Sequence, residues 1–300
     1  MKKSPRLLAL SGLLLSLCLP ASATENGQTT YPVGVSTELD GVMPPVGATE
    51  FYNYTELYVA NKFVGNNGQS IIPGFHIAAE VTAPRIVHTW AGWGPFSWSS
   101  GIVGSLFHIH LNAEGASGNR TAIGDTLLQP LILSYKNPSH TFFIFFSPEF
   151  SAPTGSYQAN RMVNTGVNYW TVQPSVGITW FPSPRWELSA NLQTEFHAPN
   201  KETHYHSGDL SSIDWLVGYD VTKKVQLGVQ GYYLKQFTDD TINGQSVPGG
   251  GFRGQAASIG PQFRYEWGPG AGFILKYEHE FAVRNRPQGD RLWAEVAFPL

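Results

Sequence analysis

Cysteine is almost absent: Cys18 is the only one in 300 residues, and it lies in a leader-like segment. A mature chain without it has neither a disulfide framework nor a Cys-based metal site. Charge is sparse too, at 14% Asp, Glu, Lys and Arg, against about 25% in typical soluble domains. Long apolar runs are also missing. Beyond the leader nothing approaches about 18 consecutive apolar residues, which argues against a membrane-spanning helix. The leader has a basic start (Lys2, Lys3, Arg6), an apolar stretch from Leu7 to Leu19 and the small-x-small triplet Ala21-Ser22-Ala23. These are the parts of a cleaved secretory signal over 1–23. Bulky Leu17 before Cys18 disfavours a lipoprotein reading. Removing the leader leaves 16 basic residues against 22 acidic ones. That balance argues against nucleic acid as a partner, because phosphate binding needs a basic face.

What the chain does have is aromatic residues, at 13%, and a period of two. Over 186–197, Trp186, Leu188, Ala190, Leu192 and Phe196 share one face with Thr194. Glu187, Ser189, Asn191, Gln193, Glu195 and His197 share the other. Side chains alternate across a strand, so this is a ribbon with one oily and one wet side. The pattern recurs over 103–112, 213–221, 225–236, 257–267 and 273–284. It closes the chain with Leu292, Ala294, Val296, Phe298 and Leu300. Weaker segments at 51–63, 74–86, 123–136, 141–150 and 169–180 bring the number to about twelve, each long enough to cross a bilayer while tilted.

A soluble sandwich would also alternate. Trp170, Trp180, Trp186, Tyr219, Tyr233, Tyr265 and Trp267 gather near strand ends, where amphipathic rings favour a membrane–water boundary. Connections alternate in length. Short ones fall at 137–140, 181–185, 222–224 and 268–270, and long ones at 64–73, 113–122, 151–168, 198–209, 238–255 and 285–290. The Trp-rich stretch 87–100 is the exception. Short periplasmic turns and longer external loops are the habit of outer-membrane barrels. The expectation is an all-β, closed antiparallel transmembrane barrel of about twelve strands over 51–300, in a bacterial outer membrane. Residues 24–50 are expected as a periplasmic tail or a plug segment. An alternating last strand resembles the signal read by the barrel-assembly machinery, although it ends here in Leu300 rather than Phe.

From 124 to 293 a further likeness emerges. It is carried by Gly124-Asp125, Pro153-Thr154-Gly155-Ser156-Tyr157, Asn168-Tyr169-Trp170, Trp186-Glu187-Leu188-Ser189 and Thr203-His204-Tyr205-His206-Ser207-Gly208-Asp209. Gly231-Tyr232-Tyr233, Gly260-Pro261 and Gln288-Gly289-Asp290 continue it. In these residues the chain resembles the phenol meta-pathway degradation protein family, encoded with aromatic-degradation pathways. The resemblance implies an outer-membrane barrel admitting small hydrophobic compounds, and no enzyme.

The lumen and substrate path is expected to be set by His108, His110, Glu187, Glu195, Asp214, Arg264, Lys276 and Glu278. External capture is expected from Pro153, Thr154, Gly155, Tyr157, Tyr205 and Asp209. Pro130, Pro148 and Pro174 lack a ladder donor and fall in three consecutive strands; with Pro261, they point to a bulged or broken wall. Two histidine pairs, His108 with His110 and His204 with His206 near Asp209, read first as polar surface or lumen and second as metal ligands, since no zinc spacing is otherwise met. A catalytic centre is not expected. Ser189 and His197 share a face but stand about 26 Å apart along a strand at ~3.3 Å per residue, and no G-x-S-x-G elbow is present. No cofactor is called for. The expected partners are outer-membrane lipids, the assembly machinery and a small hydrophobic ligand. A sealed structural or adhesive barrel, and a barrel lipid hydrolase, are the competing functions. A filled and a narrowly open barrel of this size share one sequence pattern.

Overall fold

The computed structural model describes residues 28–300. The signal peptide expected over 1–23, and the first residues after it, lie outside the described part.

Seventeen strand segments make up the fold: β1 (Thr49–Val64), β2 (His76–Trp93), β3 (Phe96–Val103), β4 (Leu106–Ala113), β5 (Ala116–Ile123), β6 (Thr126–Lys136), β7 (Phe142–Ala152), β8 (Thr171–Ser183), β9 (Trp186–His197), β10 (Tyr205–His206), β11 (Leu210–Asp220), β12 (Val225–Gln236), β13 (Thr241–Ile242), β14 (Gln245–Ser246), β15 (Gln255–Gly268), β16 (Ala271–Arg284) and β17 (Arg286–Pro299). Fourteen of them form one antiparallel sheet, and β1 pairs with both β17 and β2, which closes it. β3 with β4, and β5 with β6, are single staves interrupted at 104–105 and 124–125. The barrel therefore has twelve staves. Closure satisfies each strand inside the sheet, as a lipid environment demands.

Register settles which face looks where. Leu192, Leu227, Leu275 and Leu292 lie about half exposed on the outer surface, whereas Glu187, Asp214 and Glu278 are at most 1% exposed in the lumen. Large apolar side chains standing in the open mark a surface that meets lipid. Trp90, Trp93, Trp98, Trp170, Trp180, Trp186 and Trp267 are all exposed.

Three connections differ from their sequence reading. The stretch 87–100 is no loop: β2 runs to Trp93 and turns through Gly94, at φ 58°, into β3. The stretch 113–122 is mostly β5, reached through Glu114 and Gly115, both at positive φ. That is the backbone a two-residue hairpin requires. β16 and β17 pair as far as His279 with Asp290, and the reversal beyond passes through Ala282, at φ 51°, and Asn285, at φ 50°, with 286–290 extended where 285–290 reads as a loop. The reversal at Asn285 has no glycine to flag it in sequence, whereas Glu114 shares its turn with Gly115.

His108 and His110 are corrected by the same register. Ile77 pairs with Leu111 and Ala79 with Ile109, and these face the lumen. His108 is therefore on the outside, its Nδ1 2.6 Å from the hydroxyl of exposed Thr121, and the His110 ring lies beside that of His76. Neither lines the lumen. The polarity inverts because the β4–β5 hairpin rises past the oily belt into water. Its apolar face instead packs inward with Phe63, Phe75 and the loop residues Met162 and Val163.

This inversion predicts that a cysteine placed at His108 reacts with a bulky, membrane-impermeant maleimide on intact cells, while one at Leu111 does not. Labelling at 111 and protection at 108 would refute it.

Candidate functional site

The lumen is occupied by residues 28–48, which belong to no sheet. Thr30 sits beside Glu195 near the external end of β9, and Leu39 beside Glu187 near its other end, so the segment descends the barrel before entering β1. A strand-free segment carries backbone N–H groups that each need a partner once buried. Carboxylates of the wall supply them. Glu195 accepts from the Thr30 amide at 2.8 Å, the Thr30 hydroxyl at 2.6 Å and the Tyr31 amide at 3.3 Å. Asp214 accepts from the Tyr31 hydroxyl at 2.8 Å and the Ser36 amide at 3.2 Å. Glu187 accepts from the Leu39 amide at 2.8 Å. Lys276 works the other way, donating to the Val35 carbonyl at 2.8 Å and the Thr37 hydroxyl at 3.1 Å.

These wall charges are themselves balanced. Arg264 lies 2.7 Å from Glu187, and Lys276 2.6 Å from Glu295. Higher up, Arg291 bridges Glu56 at 2.6 Å and Glu280 at 3.1 Å. Removing one member of such a buried set typically costs about 3–5 kcal/mol, because the remaining charge is stranded. Inside the plug, burial pushes the Glu38 carboxyl up to about 8 against the pull of Arg264. Burial and the neighbouring Asp214 charge hold Asp40 well above the usual carboxylate range.

Apolar packing fixes the plug on one side. Tyr31, Val33 and Val35 join Leu210, Tyr232, Leu234, Val283 and Trp293 in one buried cluster. Each such side chain contributes about 1.5–3 kcal/mol when fully buried. Gly34, at φ +88°, faces Glu278, and a Cβ there would collide with that carboxylate. Thus Glu187, Glu195, Asp214, Arg264, Lys276 and Glu278 all lie in the lumen, and five of the six touch the plug or the cations and carboxylates that hold it. Glu278 bounds it at Gly34.

Part of the lumen is not filled. A cavity of about 550 Å³ lies between the plug and a wall that runs from β15–β17 through β1, β2 and β3 to β6 and β7, touching Ser175 of β8 and Asn191 of β9, with Val81, Val103, Leu127 and Phe145 among its apolar lining. Its polar lining includes Glu38, Asp40, Glu50, Arg264, Glu266 and Glu295, together with five residues of the β1–β7 side, Arg85, Tyr52, Tyr54, Gln129 and Glu149. None of these five stands out from sequence, since each is one more inward member of an alternating strand. Val103 and Leu127 are register partners directly below the two interrupted staves.

At that interruption the wall lacks a strand pairing. β5 pairs with β4, and β7 pairs with β6 only from Thr126 onward. The loop 153–170 closes the interval. Asp125 accepts from the amides of Gly155 and Val167, both at 2.8 Å, and the Ile123 carbonyl accepts from the Ser156 amide and the Thr165 hydroxyl. Thr154 receives the Thr126 amide at 3.0 Å. Gly155 and Gly166 approach so closely that a Cβ on either would strike the other's backbone. Pro153 leads into this closure. Below it, Leu128 pairs with Phe150 and Leu133 with Phe146, so Gln129–Ile132 bulge against the shorter Ser147–Glu149 stretch. Pro130 lies in the bulge, and Pro148 is opposite Pro174 on the next strand. Pro261 stands apart, opposite Val229.

The other loop candidates make packing contacts. Tyr157 accepts from the Asn200 amide at 2.8 Å, Tyr205 donates to Asp240, and Asp209 accepts from the His197 amide at 3.2 Å. Burial raises the Asp240 carboxyl, opposed by its hydrogen bonds from Tyr205 and the Gly208 amide. His206 faces the His197 carbonyl at 2.8 Å. Among the described residues no three His, Cys, Asp or Glu side chains converge as metal ligands.

The Gly34 collision gives a test of the plug. Gly34→Leu is expected to undock the segment and raise ion conductance in planar bilayers, where the unaltered barrel conducts little. Equally low conductance in both would show that the segment does not seal the lumen.

Sequence and fold comparisons agree with this architecture. The solved structure of the COG4313 outer membrane channel from Pseudomonas putida F1 superposes with a TM-score of 0.78 at 16% identity, covering 89% of this chain and 100% of that one. The β domain of the Bordetella autotransporter BrkA gives 0.53 at 11% identity, over 84% of this chain and 100% of that one. The transport unit of the Escherichia coli autotransporter AIDA-I gives 0.52 at 6%, over 85% and 92%. At these identities the likeness shows a shared barrel fold. No curated protein matches the sequence. The family model described as "Putative MetA-pathway of phenol degradation" matches residues 60–296, and the chain belongs to that family.

Proposed function

We propose that this barrel passes small apolar, aromatic molecules across the outer membrane by a sideways route, from the cavity through the seam between β5 and β7 into lipid. The observation that carries the reading is the position of the cavity. It lies beside the plug, and at Val103 and Leu127 it reaches the wall beneath a stretch closed by a loop instead of a strand. A solute that prefers hydrocarbon gains nothing from crossing a lumen lined by Glu187, Glu195 and Asp214. A short lateral exit avoids those groups.

In this reading the ionic residues Glu187, Glu195, Asp214, Arg264, Lys276 and Glu278 hold the plug and exclude ions and polar solutes. Thr154 and Gly155 close the seam on Asp125. Pro130 lies in the bulge beside it, while Pro148 and Pro174 face each other in a register that runs unbroken between β7 and β8. The partners are a small hydrophobic ligand and the lipids that receive it, and no catalytic step takes part. The family description names phenol degradation, which supports an aromatic cargo, and the Pseudomonas putida structure is named an outer membrane channel, which supports passage through the barrel. The plug alone would suit a structural barrel with a sealed lumen, but that role leaves the cavity without a use.

The seam can be locked. The hydroxyls of Thr126 and Thr154 are 2.8 Å apart, so cysteines at both positions are placed for a disulfide. Oxidised T126C/T154C protein in liposomes is expected to lose toluene uptake and to regain it on reduction. Unchanged uptake by the oxidised form would refute a route through the seam.

A further inference from the structure

The outer face of the barrel carries a polar row at its external rim. Thr194 of β9 is the register partner of Ser211 on β11, Ser211 of Lys235 on β12, Lys235 of Gln255 on β15, and Gln255 of Arg284 on β16. Five consecutive strands thus hold two hydroxyls, an ammonium, an amide and a guanidinium at one height. The adjacent residues Leu234, Ala256 and Val283 belong to the buried cluster inside, so by alternation Lys235, Gln255 and Arg284 point outward. The row is at the rim because β12 ends at Gln236, β15 begins at Gln255 and β16 ends at Arg284.

The neutral members of the row are hydrogen-bonded. The Thr194 and Ser211 hydroxyls are 2.9 Å apart, and the Gln255 amide donates to the Ala282 carbonyl at 3.0 Å. Lys235 and Arg284 are exposed, and neither has an ion-pair or hydrogen-bond partner among the described residues. Carboxylates of the same region are engaged elsewhere: Asp239 with Arg253 at 2.6 Å, Asp290 with His279 at 2.7 Å, and Asp209 with the His197 amide at 3.2 Å. Two strand spacings, about 10 Å in all, separate the backbones of Lys235 and Arg284, a gap their long side chains close from both sides. Such a pair suits a phosphate, to which a guanidinium offers a fork and an ammonium a point charge.

Below the cations the surface turns oily. The next outward row toward the bilayer centre is Leu192, Ile213, Tyr233, Ala257 and Phe281, again in register. All of these but Ala257 are large exposed hydrophobics. Lysine and arginine on a lipid-facing surface cost little only near the interface, which sets the polar row at headgroup height in the outer leaflet. A phosphate site over an apolar platform matches the two ends of one amphiphile. The hydroxyls of Ser211 and Thr194, continuing the row sideways, match a sugar beside that phosphate.

We propose that the outer face of β11, β12, β15 and β16 binds a phosphorylated glycolipid of the outer leaflet, of the lipid A kind. Lys235 and Arg284 hold its phosphate, and Ile213, Tyr233 and Phe281 pack against its acyl chains. The site lies on the lipid-facing surface and does not depend on the route an arene takes.

The test is native mass spectrometry of the full-length barrel in detergent, titrated with bis-phosphorylated lipid A, with the same glycolipid stripped of its phosphates, and with phosphatidylglycerol. One lipid A per barrel is expected, bound about tenfold tighter than the stripped form, a difference of about 1.4 kcal/mol. The double variant Lys235→Gln, Arg284→Gln is expected to lose that preference, and the charge-preserving Lys235→Arg, Arg284→Lys to retain it. Lys223→Gln, Lys224→Gln, at the short turn of the opposite end, is expected to leave it unchanged. Heat-modifiable mobility on gels checks that each variant is a folded barrel. Equal affinity for the two glycolipids in the unaltered protein, or a preference that survives Lys235→Gln, Arg284→Gln, would overturn the proposal. Phosphatidylglycerol bound as tightly as lipid A would overturn it in favour of a site for any anionic lipid.

Discussion

Backbone amides that belong to no sheet have to find acceptors once they enter the lumen. The wall carboxylates Glu195, Asp214 and Glu187 provide them in descending order along the plug. An unsatisfied buried amide costs on the order of 1–3 kcal/mol, so a plug without such acceptors would stay in water. The same carboxylates need cations, which explains Arg264 beside Glu187 and Lys276 between Glu295 and the plug carbonyls. The polar interior is therefore built to hold a segment in place, and the axis of the barrel is occupied by it.

Filling the axis displaces any open space to the side. The plug packs its apolar residues on β11, β12 and β15–β17, and the cavity lies beside it, bounded by β15–β17 and reaching across to β1–β3, β6 and β7. There the wall is least regular. Two staves are interrupted, a loop replaces a strand pairing, and a proline-bearing bulge lies below. A bulge or break in a barrel wall costs ladder bonds, and here the cost falls next to the cavity.

Much of this was legible in the sequence. The alternation over 186–197 assigned every inward polar residue of β9, because its wet face carries charge and its oily face tryptophan and leucine. The same rule failed at His108 and His110. Alternation is symmetric, and above the lipid belt water lies on the outside while loops bring apolar groups within. The role of Glu187, Glu195 and Asp214 as plug holders was not legible, because their partners are 148 to 183 residues away in the chain. Arg85 was hidden for a related reason. Its strand reads as apolar and Trp-rich, and its place on the cavity is a property of the assembled lumen. Asp125 was visible only as part of Gly124-Asp125, with no sign that the loop 153–170 folds back onto it.

The central claim is that apolar solutes leave through the wall while the axis stays shut to ions. The most direct measurement records arene flux and ionic conductance together on the same liposomes carrying the unaltered barrel. Sideways passage gives arene flux with no accompanying rise in ion leak. Arene flux that appears only in step with ion conductance would place the route down the axis and contradict the claim.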